Sequence, residues 1–308
     1  MRGQKPPSKP LKLETPVGTF WGDDVLEGFS ADAEFLGRAK GEPVMLDNEF
    51  YRLCKLDNAY IFEFKDIDNV KIPPMSVERF EGIINTEMKR GKSCDYYQLT
   101  IEQIQECGKE AKLRILKLLN TIIANIYFLS CPQIKYGMGT SIHKGRRKPV
   151  TKSKSYRRIT VSPVIGGILD RYIDPVTEKI FRVEQCPDQL GFTKAISYLM
   201  ASVQRGECQH WAIDKKLTCF GATLDGESAF PNVDRDILIR ELYAVGERGD
   251  YHQHSKNTYL NTHCKMKLDG KLGRYFKEFS GTRQGLYKSL YDCSGLNKPG
   301  ISHWPNLS

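Results

Sequence analysis

No C-x-x-C pair occurs in the 308 residues, and the nine cysteines, running from Cys54 to Cys293, are odd in number. Both facts argue against a zinc ribbon and against a secreted disulfide framework, and thiols used this way fit a reducing, intracellular setting. Cys208, His210, His252, His254, His263 and Cys264 are of ligand type, but their spacings match none of the usual zinc patterns. The opening M-R-G-Q-K-P-P-S-K-P-L-K lacks the apolar segment of a secretory signal and reads as a flexible tail. Long apolar runs are missing too. The longest, Ile115 to Leu129, is interrupted by Lys117, Asn120 and Asn125 and is too short and too polar to cross a bilayer. Its Ile115, Leu118, Leu119, Ile122, Ile123 and Ile126 share one helical face, as packing on a core requires. The last absence is of one charge sign. From Lys135 to Arg158 there are nine Lys or Arg and no Asp or Glu, so this segment equals the net charge of +9. Such an imbalance favours polyanionic partners, nucleic acid or an acidic membrane surface.

What is present reads as alternating helices and hairpins, in a chain long enough for one large domain or two ordinary ones. Residues 17–84 are mixed, with a strand expected at Tyr60–Phe64 and a stop at Pro73-Pro74. A helix follows from Ser76, its apolar face made by Val77, Phe80, Ile83, Ile84 and Met88, closing at Lys89-Arg90-Gly91. Thr100-Ile-Glu-Gln103 reads as a capping box, and Gly108 as a weak point before the long apolar helix. The stretch K-G-R-R-K-P-V-T-K-S-K-S-Y-R-R sets Gly and Pro between two short β-like stretches, which makes a basic hairpin whose return strand is Arg157–Pro163. Ile165–Phe181 is mainly helical. Cys219–Leu224 is expected to be a strand with Asp225 at its end, and Asp234 to cap a helix bearing Ile237, Leu238, Leu242 and Val245. Lys265–Phe279, with Asp269-Gly270 in its middle, carries the strongest short hairpin signal. Beyond Ser289 no period is sustained.

The stretch G-A-T-L-D-G-E-S-A-F-P-N-V-D-R-D, Gly221 to Asp236, sets a carboxylate at a strand end in a chain with a basic hairpin. That combination suits phosphate chemistry, in which hard divalent ions held by oxygen ligands stabilise an in-line displacement. One Asp does not hold two ions; two or three carboxylates are needed.

Four segments in order, S-Y-R-R-I-T-V-S-P, Q-L-G-F-T-K, L-D-G-E-S-A-F-P-N-V-D-R-D-I-L and G-T-R-Q-G, resemble reverse transcriptases of the non-LTR retrotransposon type over roughly residues 85 to 289. G-K-S-C-D is similar to the element that precedes the fingers, and Ile142-His-Lys144 with Tyr156-Arg157 to the two strands of the fingers hairpin. The resemblance implies an α+β right-hand polymerase: fingers over 85–190, a partial palm over 191–289 with an incomplete antiparallel sheet, and several helices. A tail, 1–16, and the mixed segment 17–84 come before; an irregular tail, 290–308, comes after. Asp225 matches the first catalytic aspartate, which contacts two Mg2+ ions, with the carbonyl of Gly226 helping to hold one. Phe230 matches the steric gate that excludes a 2′-hydroxyl. Arg157 matches the arginine that forks onto the triphosphate of an incoming deoxynucleotide, and Lys144 is similar to the family's lysine at that site. Gln284 and Gly285 match the motif that approaches nucleotide and template. Arg146, Arg147, Lys148, Lys152, Lys154 and Arg158 would track the backbone of an RNA template and DNA primer, a role independent of base sequence. No membrane or protein partner is implied.

The family's next element is a strand, a tight turn with paired aspartates and a strand, followed by a helical thumb. The last acidic residue here is Asp292, and no Asp-Asp pair follows Asp225. The expectation is therefore a catalytically incomplete reverse transcriptase fragment that binds nucleic acid without polymerising. Two other readings stay open. The pair Asp23-Asp24, in T-F-W-G-D-D-V-L, has the look of a polymerase metal motif and would make a permuted enzyme. A basic nucleic-acid-binding module kept for binding alone is the other. The fragment reading expects Asp225, Phe230, Arg157 and Gln284 on one cleft, with Asp23 and Asp24 elsewhere.

Overall fold

The computed structural model describes residues 10–37, 48–63, 70–126, 132–145, 147–184, 190, 196–220 and 233–282. Among them the fold is α+β, with nine α-helices, a four-stranded mixed sheet and a two-stranded hairpin. That hairpin pairs β1 (Lys12–Thr15) with β2 (Gly18–Trp21). A 3-10 turn over Gly22–Asp24 then runs straight into α1 (Val25–Gly37). Asp23 and Asp24 thus open a helix, where a polymerase metal motif has a strand, and Asp23 lies 3.9 Å from Lys271.

The strand expected at Tyr60–Phe64 is not formed: residues 60–63 end α2 (Asn48–Glu63), and Phe64 lies outside the described residues. A helical spacing upstream outweighs the short alternation of Y-I-F-E-F. Tyr51, Cys54 and Asn58 recur every three or four residues and face the helix Arg235–Ala244, where Asn58 Nδ2 donates to the Asp236 carbonyl at 2.7 Å. Burial pushes the Cys54 thiol up to about 11.

The largest core is helical. Ser76 Oγ accepts from Arg79 N at 3.2 Å to start α3 (Val77–Gly82), which continues as a π-turn over Ile83–Glu87. The capping box of Thr100 and Gln103 opens α4 (Ile101–Glu106), and Gly108 separates it from α5 (Lys109–Ala124), both as expected. With α6 (Val164–Glu184) these helices enclose Phe80, Ile83, Ile84, Leu119, Ile168 and Ile173. The buried stripe of α5 is Leu116, Leu119, Ile122 and Ile123, so Leu118, expected on that face, is instead 49% exposed. After α7 (Tyr198–Asp214), α8 (Arg235–Ala244) and α9 (Gly249–Tyr259) close a smaller core of Phe181, Leu238, Leu242, Val245 and Tyr259. No helix among the described residues is long and apolar enough to cross a membrane.

The sheet runs in the order β4-β3-β5-β6, made of β3 (Tyr136–His143), β4 (Tyr156–Val161), β5 (Thr262–Leu268) and β6 (Lys271–Glu278). Both expected hairpins are present. At the tip of the second, Asp269 and Gly270 have φ of 49° and 79°, the positive pair that a tight two-residue turn demands. The hairpins are joined by a parallel pairing of β3 with β5, Gly137 opposite Cys264, so the sheet is mixed and not antiparallel throughout as expected. A parallel ladder needs a long crossover, and the segment between the two strands, α6 to α9 included, supplies it. One face of the sheet, with Cys264, Met266 and Phe276, packs on Val25, Phe29 and Ala33 of α1 and on Leu13.

Candidate nucleic-acid interface

Successive side chains of a strand point to opposite faces, so the ladder registers decide which residues share the face that α1 does not cover. They place Tyr136 and the buried Met138 of β3, Arg157 of β4, His263, Lys265 and Lys267 of β5, and Tyr275 and Lys277 of β6 on that face, which is covered at Met138 and open at Tyr275, Ile142 and Arg157. The four strands hold one acidic residue, Glu278, which is buried opposite Thr262 on the α1 side. Among the described strand residues, therefore, the open face is cationic and carries no counter-charge.

Its aromatic residues form a cluster. The Tyr96 ring lies 5.8 Å from Tyr136 and 5.9 Å from Tyr275, and Tyr136 and Tyr275 are themselves 5.8 Å apart. Lys265 Nζ stands 3.9 Å from the centre of the Tyr275 ring and 5.5 Å from that of Tyr96. The Tyr275 hydroxyl donates to that of Tyr96. Desolvation first, then this hydrogen bond and the neighbouring phenols, raise Tyr275 above the ordinary tyrosine range and keep it neutral. Tyr96 is held in place by Asp95, the acid of G-K-S-C-D. The buried Asp95 carboxylate accepts from the amides of Tyr97 at 2.8 Å, Leu99 at 3.0 Å and Val164 at 2.9 Å, which fastens the D-Y-Y turn to the start of α6.

Arg157 pairs with Ile142 and is exposed, at the end of the sheet that carries the Asp269-Gly270 turn. Lys144 N donates to Ser155 O at 2.8 Å and its Nζ to Lys154 O at 2.6 Å, closing the neck of the basic loop. Beyond that neck Arg147, Lys148, Lys152 and Lys154 are exposed. Arg158 is turned the other way, because it alternates with Arg157. Its Nη1 donates to Ala33 O of α1 at 2.6 Å, so the guanidinium expected on a template backbone is tied into the fold. Lys135 is also lost from the basic set, buried with its Nζ 3.2 Å from Leu260 O. Asp225, Gly226, Phe230, Gln284, Gly285 and Arg146 lie outside the described residues. The strand expected from Cys219 is not formed at Cys219 and Phe220, and its remainder also lies outside them.

The described flanks of two motifs nevertheless meet. Gly281 N donates to Val233 O at 2.7 Å, which joins the start of G-T-R-Q-G to the end of the segment that holds Asp225. Arg235 binds the same junction: its Nε donates to Gly281 O at 3.0 Å, and its Nη1 lies 2.7 Å from Tyr259 O, Thr262 Oγ1 and Glu278 O. This buried arginine was missed by sequence reasoning. Its signal was D-R-D at a helix start, where the helix dipole disfavours a cation and another use has to be found for it. The junction and Arg157 lie at opposite ends of β6, roughly 20 Å apart at the rise of a strand, so they are not brought together. Among the described residues no group of three or more His, Cys, Asp or Glu is placed to hold a metal ion. No protein-family model matches this chain.

Proposed function

We propose that this chain is a reverse-transcriptase-like domain, fingers with part of a palm, related to the non-LTR retrotransposon enzymes, that binds an RNA template and DNA primer. The observation that carries the reading is that segments far apart in sequence are tied into one sheet, although Arg157 and the Gly281–Val233 junction stand at its opposite ends. The basic hairpin and the strand leading into G-T-R-Q-G share one sheet, and the flank of the Asp225 segment is tied by Val233 and Arg235 to the end of that sheet. Residues more than a hundred positions apart that resemble parts of one site are thus carried by one structural unit. In this reading Arg157 receives the triphosphate of a deoxynucleotide, Phe230 excludes the 2′-hydroxyl, and Gln284 and Gly285 lie against nucleotide and template.

Asp225 with the Gly226 carbonyl is an oxygen donor set of the kind Mg2+ takes, but two ions require further carboxylates. Within the 308 residues no Asp pair follows it, and Asp23-Asp24 opens α1. The chain as it stands therefore binds without polymerising. The test of binding is fluorescence anisotropy on labelled primer-template at several salt concentrations. Replacing Arg146, Arg147, Lys148 and Lys152 by Ala is expected to weaken binding across unrelated sequences and to flatten the slope of log K against log salt by at most about 3–4 units. Unchanged affinity would remove the loop from the interface.

A further inference from the structure

We infer that the open face of the four-stranded sheet, apart from the basic loop, is a binding track for unpaired nucleotides, with bases stacked at the Tyr96–Tyr136–Tyr275 cluster and phosphates on Lys265, Lys267 and Arg157. The inference takes from the proposed function only the nature of the polyanion. Everything else comes from the sheet.

Two properties of the face select the ligand. Its cations come from three of the four strands, β4, β5 and β6, with β3 between the first two, and meet no carboxylate from the sheet on that face, so their charge is available to a partner that brings its own anions. Its tyrosines lie at one end of the same row. Tyr275 is 43% exposed, with the Lys265 ammonium 3.9 Å from its ring centre, so a planar ring and a phosphate can be received side by side. Alternation of aromatic planes and cations along a groove is how single strands are held without regard to sequence, since every base has a face to stack. A duplex offers phosphates but keeps its bases stacked on each other, and it gains nothing from the tyrosines. The exposed Ile142 opposite Arg157 adds an apolar surface at the other end of the track, 51% exposed.

The cluster is built in advance of any ligand. Asp95 fixes the turn that bears Tyr96, and the Tyr96–Tyr275 hydrogen bond ties that turn to β6. Ordering these rings at the moment of binding therefore costs little, which favours affinity.

The experiment measures anisotropy of labelled 12-nucleotide oligo(dT) and oligo(U) against a blunt 12-base-pair duplex, with the full chain. Single strands of both kinds are expected to bind at least about tenfold more tightly than the duplex. Tyr275→Ala should lose roughly 5- to 150-fold on single strands, the range for one stacked base, while Tyr275→Phe keeps the ring and stays within about twofold. The Lys265→Ala, Lys267→Ala double variant should flatten the salt slope by about 1.4 units, at 0.7 per single-strand phosphate. Thermal melts establish that each variant is folded, and the Phe variant separates loss of stacking from loss of structure. Equal binding of duplex and single strand would overturn the inference, as would single-strand affinity unchanged in both the Tyr275→Ala and the double-lysine variant while the basic-loop variant loses it. That second result leaves the proposed function standing. Binding to anionic vesicles in place of oligonucleotides, or to neither, would overturn both.

Discussion

Asp234 does two things at the start of α8 that pull in opposite directions. Its Oδ1 accepts from the amides of Asp236 at 2.9 Å and Ile237 at 3.1 Å, capping the helix. Its pKa is nevertheless raised above the free value of 3.8, chiefly by burial, with the charge of Asp236 adding and the two amide hydrogen bonds opposing. A carboxyl that holds its proton more tightly when folded contributes stability below its unfolded pKa, and that contribution is lost as pH rises through the folded value. Asn caps a helix as well as Asp does and carries no charge. Asp234→Asn is therefore expected to melt at or above the wild-type temperature at neutral pH and to fall less steeply between pH 4 and 7. Thermal melts across that range check it; a variant several degrees less stable at pH 7 would mean that the charge matters more than its burial. The cap itself was legible in the sequence, as an Asp before an apolar helical period. Arg235 was not, because a side chain that gathers three carbonyls from two distant segments leaves no local pattern. The facing of Arg157 and Arg158 could be read only halfway. Alternation says that they part, but which of them meets α1 is decided by packing.

Helix starts and tight turns were the elements most open to reading, since each depends on a few residues in sequence: Ser76 at α3, the capping box at α4, Asp269-Gly270 at the hairpin. The parallel register of β3 with β5 was hidden. It is set by the fit of Cys264, Met266 and Phe276 under α1, which no alternation within one strand reveals. The same holds for α2, whose faces are chosen by α8. Another hidden junction is the start of α9. Gly249 has φ of 53°, and a Cβ there would stand 2.3 Å from Val70 O, the carbonyl that accepts from Asp250 N at 2.8 Å. Asp250 Oδ2 in turn accepts from Ile72 N at 3.1 Å. Gly249→Ala cannot keep both the left-handed backbone and the contact, so it is expected to destabilise the fold by about 1–3 kcal/mol. A urea midpoint equal to that of wild type would count against this account of the junction.

For the molecule as a whole, the charge seen in sequence and the charge available to a partner are different sets. Lys135 and Arg158 leave the basic segment for the interior and for α1, while Lys265, Lys267 and Lys277 join from β5 and β6. The surface so formed favours binding, whereas chemistry on two metal ions needs carboxylates that these 308 residues do not supply downstream of Asp225. The purified chain is expected to show no template-directed nucleotide incorporation with magnesium or manganese, measured by primer extension. Extension above background that Asp225→Ala abolishes would reverse this and restore the permuted reading with Asp23 and Asp24.

The pairing of β3 with β5 has a consequence in time. About 120 residues separate the two strands, and at ribosomal rates of about 5–20 residues per second their synthesis takes roughly 6–25 s. Through that interval β3 pairs with β4 on one side only, and its other edge is an open template for the strand of a neighbouring nascent chain. The segment that waits is also the most positively charged in the protein, so two copies emerging on one messenger repel each other at the place where they would otherwise stick.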